Sequence, residues 1–306
     1  MRIVITGATG LIGKALCEKL SPDYEIIALS RHPEQTRLGQ NVTFAQWDAH
    51  SPGPLAKHID GSFAVINLAG ESIASGKWTK AKRRSILQSR LNITNALVET
   101  ISMAEHKPDV LIQASAIGYY GFGTHGQVDE NSGGGDGFLA EVCKKWEQSS
   151  KQAEKFGTRR IIIRTGIVLS GDDGVLPRIV KPFKFFLGGY PGSGKQSVSW
   201  ITIDDEVAAI KFLLENRNLS GVFNLVSPNP VTIRQLCKTL GRILKRPCWI
   251  PVPALVLRLA FGKMADETIL ADQKVVPNRL LKAGFKFEHP DIDDALKYVL
   301  EEKGNI

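Results

Sequence analysis

The chain has 306 residues, enough for one large α/β domain or a domain with a smaller appendage. At 43% hydrophobic, 23% charged and 8% aromatic residues it matches the average soluble globular protein, which excludes disordered, collagen-like and coiled-coil classes. Lys and Arg number 39 against 31 Asp and Glu, and the net +8 admits nucleic acid, an anionic membrane surface or a phosphorylated small molecule as partner.

Residues 2–6, 24–29, 42–46, 63–68, 110–115 and 160–165 read as strands. Most are nearly continuous in Ile, Val, Leu and Phe, the mark of strands covered on both faces. Helical patterns fall between them at 11–20, 80–104 and 138–156. Strand, helix, strand in repetition predicts right-handed crossovers and a Rossmann-like, doubly wound parallel sheet in an α/β fold.

After residue 170 the texture changes. Gly and Pro crowd residues 171–194, and isolated strands at 197–203 and 222–225 punctuate helices at 204–214, 232–244 and 291–302. Thr232 followed by Gln235, and Asp291 followed by Asp294, are N-cap signals. The division expected is a dinucleotide-binding region over 1–170 and a smaller, mostly helical substrate lobe over 171–306, interleaved with the sheet. No repeat period and no low-complexity tract occur.

No uncharged apolar run approaches the roughly 18 residues of a membrane span. The best stretch, residues 249–262, holds two prolines and Arg258. Cys17, Cys143, Cys237 and Cys248 lack metal spacing, and a strand opening at Arg2 leaves no leader, so reduced thiols and a cytoplasmic location are expected. The six histidines, His32, His50, His58, His106, His125 and His289, show no ligand spacing, and no metal site is expected.

The opening motif is strand, tight turn, helix, with Gly7, Gly10 and Gly13 three apart around Ala8, Thr9, Leu11 and Ile12. Each glycine serves where a Cβ would obstruct: the sharp exit from the strand, the approach of backbone N–H groups to a pyrophosphate, and close helix–strand packing. The helix beginning at Leu11 offers its positive end to that anion. GxxGxxG alone is a weak pattern, but its place directly after the first strand meets the context dinucleotide binding requires. An NAD-type sheet ends its second strand in a carboxylate that accepts from the ribose 2′-hydroxyl. Here Ser30 and Arg31 stand there, so a 2′-phosphate and NADP are expected.

The segments TGATGLIG (6–13), VINLAGE (65–71), SRLNIT (89–94) and ASAIGYYG (114–121) resemble extended short-chain dehydrogenase/reductases. More narrowly, they resemble the atypical branch of NADP-binding epimerase-family proteins. KWE (145–147), RTGIVL (164–169), GSGKQ (192–196), SWITIDD (199–205), VPA (252–254) and GFKF (284–287) extend the likeness over nearly the whole chain. The resemblance implies that Leu68, Ala69 and Gly70 line the adenosine and ribose, and that Arg90 reaches the cofactor from the long helix.

The parent superfamily transfers hydride, with a Tyr as acid or base assisted by a Lys four residues later on one helix face. None of the five tyrosines here has Lys at that spacing. Phe138 or Leu139 takes the Tyr position, and Val142 or Cys143 the Lys position. Ser115, at a strand end, and Tyr119 or Tyr120, on the following loop, are the remaining candidates for acid–base work. Glu141 and Lys144 are weaker ones. The expected function is therefore an NADP(H)-binding oxidoreductase or epimerase-like enzyme for an unidentified carbonyl or alcohol. A redox-inert NADP(H) module and an NAD-dependent sugar-nucleotide epimerase are the alternatives.

Residues 189–196 nearly spell a P-loop, but Gln196 stands where Mg²⁺ needs a hydroxyl and residues 183–187 fit a helix rather than a strand. In related enzymes this stretch belongs to the substrate lobe, so Gln196 and Trp200 are expected to face substrate. The cationic run at 77–84 has one aromatic and reads as a solvated helix start. Neither nucleic acid nor membrane is expected as partner, and the charge beyond Arg31 and Arg90 reads as surface charge. A homodimer would pair through residues 80–104 and 138–156, which the sheet also needs as cover, so oligomeric state stays open.

Overall fold

Seven strands form one fully parallel sheet: β1 (Arg2–Thr6), β2 (Glu25–Ser30), β3 (Val42–Gln46), β4 (Ala64–Asn67), β5 (Val110–Ala116), β6 (Arg159–Thr165) and β7 (Gly221–Leu225). Their order is β3-β2-β1-β4-β5-β6-β7, a doubly wound sheet whose direction of winding reverses between β1 and β4. The computed structural model describes residues 1–31 and 38–302; His32 lies outside them.

Alternate residues of each strand serve opposite faces, and both faces are covered. Ile3, Ile5, Ile112 and Ile163 pack against α1 (Leu11–Leu20) and α6 (Ile203–Glu215). Val4, Val65 and Leu111 meet α2 (Gly53–Ile59) and α3 (Lys80–Met103) on the other side. Thus the continuous apolar strands follow from burial on two sides. The Thr79 hydroxyl caps α3 through Lys82 N–H, and the Thr202 hydroxyl caps α6 through Asp205 N–H.

Where β1, β4 and β5 end, the α3-facing side turns polar and stays buried. Thr6 Oγ1 donates to Asn67 Oδ1 (2.6 Å), while Asn67 Nδ2 donates to Thr94 Oγ1 (3.0 Å) and Gln113 Oε1 (2.9 Å). Trp146 Nε1 donates to Thr94 Oγ1 as well, at 3.1 Å. Every member is largely shielded from water. These bonds tie three strand ends to two helices and fix the switch point.

The C-terminal lobe has its own core around Trp200, built from α5 (Leu176–Lys184), α7 (Ile233–Ile243) and residues Ile292, Ala295 and Leu296. The predicted Thr232 cap forms, accepting from Gln235 N–H at 3.1 Å. Asp291 does not cap; its Oδ1 accepts from Asn229 Nδ2 instead. The helix expected over 138–156 is α4 (Phe138–Ser149) followed by a short turn, because the Ser149 and Ser150 hydroxyls bond back to the Trp146 and Glu147 carbonyls and compete with the ladder. Residues 183–187 straddle the end of α5, with Phe186 at φ 61°. A parallel strand pair, Gly123–Val128 with Asp272–Val275, escapes the sequence because its residues are polar or glycine rather than apolar.

Replacing Asn67 with Leu strands Thr6, Thr94 and Gln113 without their partner. The expected cost is about 2–3 kcal/mol, read in a chain of 306 residues as a fall of roughly 3–5 °C in Tm by thermal unfolding. A Tm within about 1 °C of wild type, roughly the shift for under 1 kcal/mol, would show the network to be dispensable.

Candidate functional site

The turn leaving β1 is set by its glycines. Gly7 has φ 72°, and a Cβ there would lie 2.9 Å from both Leu68 C and Ala69 N, so the loop after β4 runs directly against it. A Cβ on Gly13 would lie 2.6 Å from Ala8 Cα and fall on the Gly7 carbonyl oxygen. Gly10, at φ −79°, opens α1 with no side-chain cap and no acidic residue in the first turn. The first helical bond is Lys14 N–H to Gly10 O at 2.9 Å, so the N–H groups of Leu11, Ile12 and Gly13 point out of the helix end without backbone acceptors. Thr9 and Gly10 are exposed, and Gly174 approaches Leu11 from the lobe side. This cradle, which a Cβ would fill, fits the pyrophosphate of a dinucleotide.

The loop after β4 lies beside it. Ala69 N–H reaches Thr6 Oγ1 at 3.3 Å, and Gly70 lets the Arg90 guanidinium approach so closely that a Cβ would be 3.0 Å from Arg90 Cζ. Arg90 donates to the carbonyls of Glu71 and Ile86 at 3.0 Å each and stacks over Trp146. Burial lowers its pKa below the ordinary guanidinium value. Ser30 ends β2, and Arg31 follows, exposed. The Glu71 carboxyl is held below its ordinary pKa by Lys82 first, then by the charges of Arg31 and Arg90. The structure therefore gathers Gly7, Leu68, Ala69, Gly70, Arg90 and Arg31 at one corner of the carboxyl edge.

At the β5 end the three candidate hydroxyls are organised by one buried ion pair. Arg164 on β6 grips Glu147 on α4 bidentately, Nε to Oε1 at 2.8 Å and a terminal nitrogen to Oε2 at 2.9 Å. Ser115 Oγ donates to the same Glu147 Oε1 at 2.7 Å. Tyr120 is buried; its hydroxyl accepts from Arg164 at 2.9 Å and donates to Asn224 Oδ1 on β7 at 2.8 Å. Burial raises the Tyr120 pKa. For Arg164 burial opposes the charge, but hydrogen bonds and charge from Glu147, then Tyr120, outweigh it and hold the guanidinium above its ordinary pKa. Half-buried Tyr119 lies under the same guanidinium, Cζ 3.4 Å from the ring centroid.

The face that α4 turns to this strand end is Leu139 and Cys143, since a Cβ on Gly118 would lie 3.3 Å from Leu139 Cβ and 3.8 Å from Cys143 Sγ. Phe138 and Val142 instead pack with Ile86 and Trp78. Leu139 carries no proton to transfer, and burial pushes the Cys143 thiol up to about 11. The start of α4 is capped from the lobe: Glu267 accepts the N–H groups of Phe138 and Leu139 at 3.1 and 2.8 Å. Glu141 pairs with Lys145 on the surface, and Lys144 donates to the Gly135 carbonyl.

Two expectations are corrected. Trp200 is fully buried in the lobe core and Gln196 is held by the Pro191 carbonyl, so neither faces a cleft. Among the described residues one trio, Asp60, Glu105 and His106, brings metal-type ligand atoms together, and there Asp60 already accepts the His106 N–H at 2.7 Å. Glu147 and Arg164 stand in the segments KWE and RTGIVL, but sequence reasoning assigns no role to them or to Asn224 and Glu267, because residues far apart in sequence carry no spacing signal that pairs them.

On the opposite side of the β6 end, Thr165 donates to Glu206 Oε1 at 2.7 Å, and Glu206 Oε2 has no partner among the described residues. Burial pushes the Glu206 carboxyl from 4.5 up to about 8, with Thr165 opposing. The folded state thus keeps a proton that the unfolded chain loses near 4.5. Its contribution is complete below that pH and is lost as pH rises through about 8. Tm should fall over that interval, and Glu206→Gln should flatten the profile; parallel profiles would contradict the assignment. Glu147→Ala leaves Arg164 charged and buried, and should cost about 3–5 kcal/mol by denaturant unfolding, against far less for Glu147→Ala with Arg164→Met.

Comparison with known proteins follows the same lines. The NAD dependent epimerase/dehydratase family matches residues 3–225, and a domain of unknown function, DUF1731, matches residues 252–299. Epimerase family protein YfhF of Bacillus subtilis is 36% identical over all of both chains. The chloroplastic SDR39U1 homolog of Arabidopsis thaliana is 38% identical over 98% of this chain and 87% of its own length. The crystal structure of human epimerase family protein SDR39U1 with NADPH is 32% identical and superposes with a TM-score of 0.87 over all of both chains. The chain belongs to the NAD dependent epimerase/dehydratase family, in the atypical extended short-chain dehydrogenase/reductase branch of SDR39U1-like proteins.

Proposed function

We propose that the chain binds NADP(H) at the carboxyl edge of the sheet and acts on a carbonyl or alcohol substrate, residues 1–170 holding the dinucleotide and 171–306 forming the substrate lobe. The observation that carries this reading is the Gly7–Gly13 cradle with its outward N–H groups, placed beside a β2 end that offers Ser30 and Arg31 instead of a carboxylate. NADPH in the human relative supports the choice of dinucleotide.

In this reading Thr9, Gly10, Leu11, Ile12 and Gly13 hold the pyrophosphate through backbone N–H groups. Ser30 and Arg31 take the 2′-phosphate, Leu68, Ala69 and Gly70 line the adenosine and ribose, and Arg90 braces that loop. The bound dinucleotide supplies or accepts a hydride. Tyr119 is the phenol left to move a proton, held in orientation by the Arg164 guanidinium stacked on its ring. Ser115 and Tyr120 position Glu147 and Arg164 beneath it.

A second reading, a redox-inert NADP(H) module, is favoured by Leu139 and Cys143 standing on the helix face where the superfamily's acid–base pair belongs. Incubation with NADPH and a panel of carbonyl compounds separates the two: loss of nicotinamide absorbance that falls at least tenfold in Tyr119→Phe supports turnover, and none with any member supports the module. For the cofactor itself, Arg31→Ala should weaken NADPH roughly 10–100-fold in calorimetric titration while leaving NADH within about twofold. Equal wild-type affinity for the two dinucleotides would sink the assignment.

A further inference from the structure

The positive excess of the chain is confined to two stretches. Residues 174–203 and 216–265 contain twelve Lys and Arg and no Asp or Glu, while the rest of the chain holds 27 basic against 31 acidic residues. None of those twelve cations belongs to the site described above, which uses Arg31, Arg90 and Arg164. The same two stretches carry most of the uncovered apolar surface of the described residues. Of fourteen exposed large apolar side chains among the described residues, nine lie in residues 185–187 and 249–261.

These pieces meet in space. The backbone after α5 runs against residues 247–252: Trp249 N–H donates to Gly188 O at 3.2 Å, Val252 N–H to Tyr190 O at 2.9 Å, and Gly192 N–H to Val252 O at 2.9 Å. The Arg246 guanidinium lies over the Phe186 ring at 4.4 Å. Beyond the seam, α8 (Ala254–Phe261) is apolar nearly all round yet buries only Leu257. Trp249, Leu255 and Leu259 are 69%, 67% and 74% exposed. Lys181 and Lys184, which precede Phe185 in the chain, and Lys245, beside Arg246, are exposed.

We propose that this face of the lobe docks on an anionic lipid surface, with Phe185, Leu187, Trp249, Leu255 and Leu259 entering the headgroup region and the surrounding cations meeting lipid phosphates. No helix among the described residues is long and apolar enough to cross a membrane, and α8 has eight residues, so the attachment lies on the surface. Projecting apolar side chains ringed by cations suit a deformable, negatively charged layer, and Trp favours the membrane–water interface. A second copy of the chain fits poorly: a two-fold contact through this face would bring cation against cation, with no carboxylate in either stretch and the adjoining Asp266 already taken by Arg258 at 2.8 Å. The inference rests on residues of the seam and α8 and on none of the Gly7–Gly13 cradle, so it stands whether or not the chain turns NADPH over.

Flotation of the full chain with vesicles tests it. Binding to phosphatidylglycerol–phosphatidylcholine vesicles, little binding to phosphatidylcholine alone, and a decline with added salt are expected. The triple change Trp249→Ser, Leu255→Ser, Leu259→Ser, and separately Lys184→Glu with Arg246→Glu, should each reduce partitioning roughly tenfold or more. Both variants should keep wild-type NADPH affinity and far-ultraviolet circular dichroism, which reports that they fold. Absence of partitioning at low salt, or equal partitioning to neutral vesicles, overturns the proposal; the first result would assign the face to an acidic protein.

Discussion

A guanidinium buried under a sheet edge is tolerable only if its charge and donors are met, and the site is arranged around how Arg164 meets that demand. Glu147 takes two of its donors from α4, and the Tyr120 hydroxyl takes a third from the turn after β5. Tyr120 passes the bond to Asn224 on β7, whose side chain donates to the Val276 carbonyl and whose N–H meets Glu130. One charge therefore fixes α4 against β5 and β6 and leads to the segments on which the lobe rests. Removing either member alone exposes the other to the full cost of desolvation, so the pair acts as a specificity device for the arrangement of the edge.

The same pair accounts for why α4 holds its place without the Tyr and Lys that make the corresponding helix chemically active in the parent superfamily. Leu139 and Cys143 pack against the Gly118 turn, and Glu147, about one turn beyond Cys143, anchors the helix electrostatically. Helix position and helix chemistry are separable here. In the function proposed above, proton transfer falls to the turn after β5, where Tyr119 lies on the guanidinium.

The sheet, its winding and the cradle were legible in the sequence because they depend on local rules. Continuous apolar strands report burial on two sides, and glycines three apart between a strand and a helix report a backbone approached by something large. Boundaries failed where side chains compete with the backbone, as at Ser149 and Ser150, or where strands are polar, as at Gly123–Val128. Asn67, Glu147, Arg164 and Glu267 were out of reach for a different reason. Each is an ordinary polar residue whose partners lie 17 to 129 positions away, so its meaning exists only once the sheet has brought those partners together. Trp200 shows the reverse error: a tryptophan in a segment assigned to substrate is core, because its indole N–H finds the Asn229 carbonyl and its ring fills the lobe.

Charge follows the same separation between local and distributed information. A net +8 describes no surface, since the cofactor corner sets Glu71 against Lys82, Arg31 and Arg90 while the buried edge balances Arg164 with Glu147. What is left over is concentrated in residues 174–203 and 216–265, where the acidic residues that elsewhere outnumber basic ones are absent. Carboxylates lost from eighty residues of a globular chain leave most of its cations there unmatched, although Arg242 and Arg258 find Asp293 and Asp266 outside those stretches, and apolar side chains exposed at the same place remove its ordinary means of staying apart from other surfaces. Both deficits are met by one kind of neighbour, apolar within and negatively charged at its boundary, which assigns the dinucleotide to the sheet edge and the surplus charge to a second, separate interaction.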